Sequence, residues 1–139
     1  AGLVDGEGSV SINRRRDSTG TRRGYCFRLN LAIANTDANL VEWCRKTTQV
    51  GKIGPVTCAD PERHKPAVRW EVWTRQAASV LEQVLPWLIT KRDRVQLALE
   101  FQRRVSASRA GKFGLTEAEW EWQVGVHGTM AVLNKRGLK

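Results

Sequence analysis

Asp5 and Glu7 are the residues of this chain whose type and spacing most directly suggest chemistry. They stand two apart in Asp5-Gly6-Glu7-Gly8, behind the short apolar run Ala1-Gly2-Leu3-Val4 and ahead of Ser9-Val10. The run has the composition of a helix end, and Gly6 and Gly8 are expected to release the backbone where the helix stops. Glu7 then emerges at the helix C-terminus, where the macrodipole disfavours a carboxylate unless a cation compensates it; a divalent metal ion is one such cation. Two solvated turn carboxylates are the alternative, and a bare Asp-Gly-Glu-Gly reads more readily as that. A calcium loop of the EF-hand kind is excluded, because its alternating acids and distant glutamate are absent. Gly2 and Gly6, four apart, share one helical face and let a second helix approach closely.

The other chemistry-bearing residues exclude more than they suggest. Cys26, Cys44 and Cys58 are odd in number and widely spaced, which argues against a disulfide framework and fits a reducing compartment. Cys58 and His64 are at most half a zinc site, since no second ligand pair accompanies them. His64 is expected in a loop and His127 on a helix face, neither of them catalytic. The chain has 139 residues and a formal net charge of +9, the size of one domain and a balance that favours a polyanionic partner, nucleic acid first. No apolar run approaches a membrane span and no signal region opens the chain, so a soluble intracellular protein is expected, with no membrane partner. Sixteen of the 23 basic residues are arginine and six residues are tryptophan, a bias that leans toward a bacterial or phage origin, with an organelle (chloroplast or mitochondrion) second.

The elements that must position these residues follow from periodicity. Ser9 to Asn13 alternates polar and apolar as a half-buried strand does, with Ser9, Ser11, Asn13 and Arg15 on the open face. Arg14 to Gly24 reads as a basic hairpin loop. Cys26 to Ile33 alternates again, with Phe27, Leu29, Leu31 and Ile33 inward and Cys26, Arg28, Asn30 and Ala32 outward. Asn35-Thr36-Asp37 supplies an N-cap for a helix running to about Thr48. Lys52 to Thr57 and Ala67 to Thr74 predict a second hairpin, separated by the turn 59–66, with Val68, Trp70 and Val72 alternating with Arg69 and Glu71. Gln76 to Leu85 and Lys91 to Val105 are helical by pattern and broken at Pro86. Thr116 with Glu119 forms a capping box for a last helix that ends near Asn134. The expected class is α+β, in the order αββαββα with extra C-terminal helices and a four-stranded antiparallel sheet.

The ten residues from Ala1 to Val10 resemble the signature of the LAGLIDADG homing endonucleases, starting at its second letter. Val4 stands for isoleucine, Gly6 for alanine and Glu7 for the final aspartate. The missing leucine and upstream helix imply either further chain or strong packing, because so short a helix does not nucleate alone. The element order is similar to that fold as well. So are Leu29 to Asp37, Gly51-Lys52-Ile53, Arg69 to Val72, Pro86-Trp87-Leu88 with Lys91, and Leu133 to Gly137, so that the resemblance covers essentially the whole chain.

The resemblance implies a site-specific double-strand DNA endonuclease that hydrolyses phosphodiesters with a divalent metal, Mg²⁺ or Mn²⁺. One signature per chain implies a homodimer, with Gly2, Leu3 and Gly6 facing their copies. It implies Glu7 as the metal-holding acid, with the Gly6 carbonyl as a second oxygen ligand. Lys91 falls where the family places a lysine near the attacked phosphate, and Asn35 where it places a polar residue that orders water; a solvated helix start and an N-cap are their ordinary alternatives. Asp5 is assigned to structure. Double-stranded DNA would lie on the open sheet face, since a two-stranded ribbon fits the major groove. The candidates are Ser9, Ser11, Asn13, Arg15, Arg28, Asn30, Arg69 and Glu71, with Arg14, Arg16, Arg22 and Arg23 near the hairpin tip. An RNA-binding maturase acting on intron RNA, and a non-catalytic DNA-binding protein on the same fold, are the alternatives; retention of Glu7 and Lys91 favours cleavage.

Overall fold

A computed structural model of the protein describes residues 1–17, 23–108 and 114–135. The chain opens with α1 (Gly2–Glu7), β1 (Gly8–Arg16) and β2 (Tyr25–Asn35), followed by α2 (Ala38–Thr48), β3 (Lys52–Pro55) and β4 (Val68–Trp73). Three further helices complete it: α3 (Thr74–Val84), α4 (Arg92–Ala107) and α5 (Glu117–Asn134), with a 3₁₀ turn, Leu85–Trp87, between the first two. This is the expected α+β order.

Two hairpins make one antiparallel sheet in the order β1-β2-β4-β3. Gly8 pairs with Ile33 at one end of the first hairpin and Arg16 with Tyr25 at the other, while Asn35 pairs with Val68 between the hairpins. Because side chains alternate across a strand, this register gathers Val10, Ile12, Phe27, Leu29, Leu31, Ile33, Trp70 and Val72 on one face, all buried. The helices supply the other half of the core through Val41, Leu81, Val95, Phe101, Val126 and Met130. Pro86 ends α3 as its missing N–H requires, and Leu88 behind it drops into the core at 1 % exposure. No described helix is long and apolar enough to cross a membrane.

α5 also closes an edge. β1 is the outer strand, and its free carbonyls would otherwise stay unpaired. His127 donates from Nδ1 to the Ile12 carbonyl at 2.6 Å, and Asn134 donates from Nδ2 to the Val10 carbonyl at 2.9 Å. The two residues are seven apart on the helix, two turns on one face, as the two carbonyls are two apart on the strand. The Phe27 ring lies tilted against the His127 ring, with centroids 4.9 Å apart.

Several local expectations are corrected. β1 runs on to Arg16 and α4 to Ala107, because the Arg-rich and Ser-rich stretches there still pair or pack. Thr116 caps α5 by accepting from the Glu119 N–H, but the Glu119 carboxylate does not return to the cap; it pairs with Arg104 of α4 at 2.9 Å. Asn30 and Ala32, expected outward and open, are 5 % and 6 % exposed. They lie on the central strand β2, flanked on both sides, and Asn30 donates to the Val72 carbonyl at 3.4 Å. Gly51 is a close approach: at φ 89°, a Cβ there would lie 2.5 Å from the Trp70 indole nitrogen, which donates to the Val50 carbonyl at 2.9 Å.

Candidate active site and nucleic-acid interface

A helix of six residues has too few internal hydrogen bonds to stand alone, and α1 is held by the segment ahead of α4. The Asp5 carboxylate accepts from the backbone N–H of Ile89 at 2.7 Å through one oxygen. Its other oxygen takes the N–H groups of Thr90 at 3.2 Å and Lys91 at 3.0 Å and the Thr90 hydroxyl at 3.1 Å. It thus does across the fold what an N-cap side chain does locally, accepting from N–H groups at the start of a helix. The Ile89 N–H, helped by those of Lys91 and Thr90 and by the Thr90 hydroxyl, holds the Asp5 pKa below its ordinary value. Asp5 is structural, as expected.

Lys91 completes the tie from the other side. Its ammonium donates to the Val4 carbonyl at 2.9 Å and the Gly8 carbonyl at 2.6 Å, two acceptors at the C-terminus of α1. A cation there offsets the negative end of the helix dipole. The alternative of a solvated lysine is overturned, because these carbonyls draw the side chain inward. Gly8 itself has ordinary extended backbone at φ −72°. The position excludes a side chain because a Cβ would lie 2.5 Å from the Val4 carbonyl oxygen, so steric closeness rather than backbone freedom calls for glycine there. Gly6 lies inside α1 rather than breaking it.

Glu7 is left between these anchors with its carboxylate exposed. Among the described residues no hydrogen bond or ion pair reaches the Glu7 side chain. Nor do the described residues contain a group of three or more His, Cys, Asp or Glu side chains close enough to hold a metal. At the end of α1 the described residues therefore offer one free carboxylate, Glu7, with neighbouring backbone oxygens. That suits Mg²⁺, which takes few protein oxygens and completes its octahedron with water and phosphate. Asn35 lies at the end of β2, two residues beyond the Gly8 and Ile33 pair. Its Oδ1 accepts the Asp37 N–H at 2.8 Å, so one end of its amide is held by the turn into α2.

The register sorts the proposed DNA contacts. Ser9, Ser11, Asn13 and Arg15 stand opposite Ala32, Asn30, Arg28 and Cys26, on the face away from the helices. Arg69 and Glu71 share that face and pair with one another at 3.3 Å. Arg14 and Arg16 stand opposite Phe27 and Tyr25 on the other face, and the Arg14 guanidinium lies 4.7 Å over the Tyr25 ring. Arg23 is tied to the start of α5, donating to Glu117 at 2.6 Å and the Leu115 carbonyl at 3.2 Å, with its guanidinium 5.0 Å from the Trp120 ring. Arg22 lies outside the described residues. Two members of the open face were missed: Lys52, opposite Glu71, and Trp73, opposite Asn30. Their positions in strands with alternating polarity were the signal that could have found them.

The face of α1 away from the core is bare. A Cβ on Gly2 or Gly6 would meet no atom within 4 Å. In the connection between α3 and α4, Trp87 is 75 % exposed and Ile89, whose N–H Asp5 holds, is 86 % exposed.

No protein-family model matches the chain, and no curated protein matches it. Among solved structures the chain is similar to the homing endonuclease I-CvuI, in complex with an I-CreI target in the presence of Mg and with the DNA not cleaved. The TM-score is 0.77 at 16 % identity, covering 99 % of this chain and 81 % of that one. An archaeal intron-encoded homing endonuclease, I-Vdi141I, complexed with DNA, matches with a TM-score of 0.77 at 13 % identity, over 99 % of this chain and 83 % of that one. The LAGLIDADG homing endonuclease I-SmaMI, bound to cleaved DNA, matches at 0.74 and 16 % identity, over 96 % of this chain and 43 % of that one. The sheet, the helices behind it and the short opening helix together give this chain the fold of the LAGLIDADG homing endonucleases.

Proposed function

We propose that the chain is one subunit of a homodimeric, divalent-metal-dependent endonuclease that cuts both strands of DNA at a long, near-palindromic site. The observation that carries this reading is the exposed, unpaired Glu7 carboxylate at the end of a helix whose position is fixed from both sides by Asp5 and Lys91. Glu7 and the Gly6 carbonyl would hold Mg²⁺ or Mn²⁺. Such ions activate an attacking water and stabilise a leaving oxygen in phosphodiester hydrolysis. Lys91 keeps the α1 terminus in place and sets a positive charge beside it, where charge develops on a phosphate. The Asn35 amide orients water on the other side.

A second copy supplies the second acid. The open space at Gly2 and Gly6 fits close helix approach about a twofold axis; Leu3, half-buried against the core, would meet the partner only through its exposed edge, and exposed Trp87 and Ile89 add apolar area for such a contact. The charge of +9 per chain draws the pair to DNA, and the open sheet face enters the major groove. Incubating the protein with a pool of near-palindromic duplexes, with Mg²⁺ or with a chelator, tests this reading. It predicts double-strand breaks at a restricted set of sequences, abolished by chelation. DNA binding without breaks in either Mg²⁺ or Mn²⁺ would favour the non-catalytic alternative.

A further inference from the structure

The open face of the sheet carries an aromatic side chain that belongs to no core. Trp73, the last residue of β4, pairs with Asn30, which places it with Ser11 and Arg15 rather than with Trp70 and Val72. From the far side of β2, the Arg15 guanidinium lies 4.5 Å from the centre of the Trp73 ring. The ring and the arginine thus bridge the central strand. Arg14 and Arg16 point to the opposite face and Arg23 is tied to α5. Arg15 is therefore the described hairpin arginine that combines the open face with a fixed platform.

An arginine reads guanine through two parallel hydrogen bonds from one edge of its planar fork. A long side chain loses rotamer freedom on making them, and a contact that already fixes its plane lowers that cost. We propose that Trp73 is a positioning residue for sequence recognition: its ring holds the Arg15 guanidinium in the orientation that meets a guanine edge in the major groove. This rests on the sheet being the DNA-binding face, as argued above.

Selection from a randomised duplex pool, followed by affinity measurement at two salt concentrations, tests it on the full chain and on Arg15→Ala, Arg15→Lys, Trp73→Leu and Trp73→Phe. Arg15→Ala should flatten a guanine preference at one base pair of each half-site, by roughly 5- to 150-fold. Arg15→Lys, which keeps Trp73 and the charge but lacks the planar fork, should flatten the same base pair. Trp73→Leu should weaken that preference by about 2- to 5-fold with the salt dependence unchanged, and Trp73→Phe should restore most of it. A Trp73→Leu effect spread evenly over all sequences, or seated at a different base pair from that of Arg15→Lys, overturns the positioning role while leaving DNA recognition intact. Absence of any sequence preference in the unmodified chain overturns the reading of the sheet itself, and this proposal with it.

Discussion

Asp5 and Lys91 hold each other's helices. The Asp5 carboxylate accepts the Lys91 backbone N–H at 3.0 Å, while the Lys91 ammonium returns to the carbonyls of Val4 and Gly8 on either side of Asp5 and Glu7. A residue at the start of the chain and one 86 positions later thereby fix where the Glu7 carboxylate stands.

The Asp5 half of this tie is sensitive to pH in a defined direction. Its pKa is lowered in the folded chain, chiefly by the Ile89 N–H, from an ordinary value of 3.8. A depressed carboxylate lends stability that is full above that ordinary value and lost as pH falls through the folded one. Asp5→Asn, which keeps the shape but not the charge, should lower the Tm at pH 7, and the gap to the unmodified chain should narrow as pH falls below about 3.8. Thermal melts across pH 3 to 7 check this; a gap constant over that range would contradict it.

Lys91→Met removes both hydrogen bonds to the α1 terminus. Bonds to a charged group contribute roughly 1.5 to 3 kcal/mol, so stability should fall by about that much at most. Cleavage should fall further, by roughly 100- to 1,000-fold, if the ammonium also offsets charge on the phosphate. Single-turnover cleavage of a selected site, measured well below the variant's Tm, separates the two effects: a rate loss no larger than the folded fraction explains would leave Lys91 a purely structural role.

Gly6→Val tests the self-contact. The position faces open space in the single chain, so the variant should fold, whereas a branched side chain in a close helix pair should separate the subunits. Ile89→Asp, at a site 86 % exposed, should weaken the pair without unfolding the chain. Solution masses of DNA-free and DNA-bound protein report this, and a single-chain mass for the unmodified protein on DNA would rule the dimer out.

Two backbone sites should respond in opposite directions. Gly51→Ala puts a Cβ at φ 89° against the Trp70 indole and should cost about 1 to 3 kcal/mol or more. Thr74, a β-branched residue at φ 53° where β4 turns into α3, is the reverse case, and Thr74→Gly should stabilise by roughly 1 kcal/mol. Urea unfolding midpoints check both signs.

Much of this architecture was legible from periodicity and punctuation. Period-two alternation placed both faces of β1, β2 and β4, and Pro86, Asp37 and Thr116 marked helix boundaries close to where they stand. What alternation does not carry is what covers an outward residue. Asn30 reads as open, yet it is buried on the central strand between β1 and β4 and donates to the Val72 carbonyl, neither of which its own sequence announces. The site divides the same way. The order of acids at the end of α1 showed Glu7 to be the exposed one, but the partners of Asp5 lie more than 80 residues away, and nothing in the local sequence of Lys91 announces the two carbonyls its ammonium reaches. The contacts of Arg23 with Glu117 and Trp120 were likewise invisible locally, because α5 brings them from more than 90 residues away.

In the proposed reaction Glu7 holds the metal on which cleavage depends. Glu7 is exposed and makes no contact that α1 needs, so Glu7→Gln should fold and bind DNA with affinity close to that of the unmodified chain. Cleavage of a selected duplex in Mg²⁺ by this variant is the direct measurement. Loss of cleavage with binding retained is the expected result, and cutting at the unmodified rate would contradict the assignment.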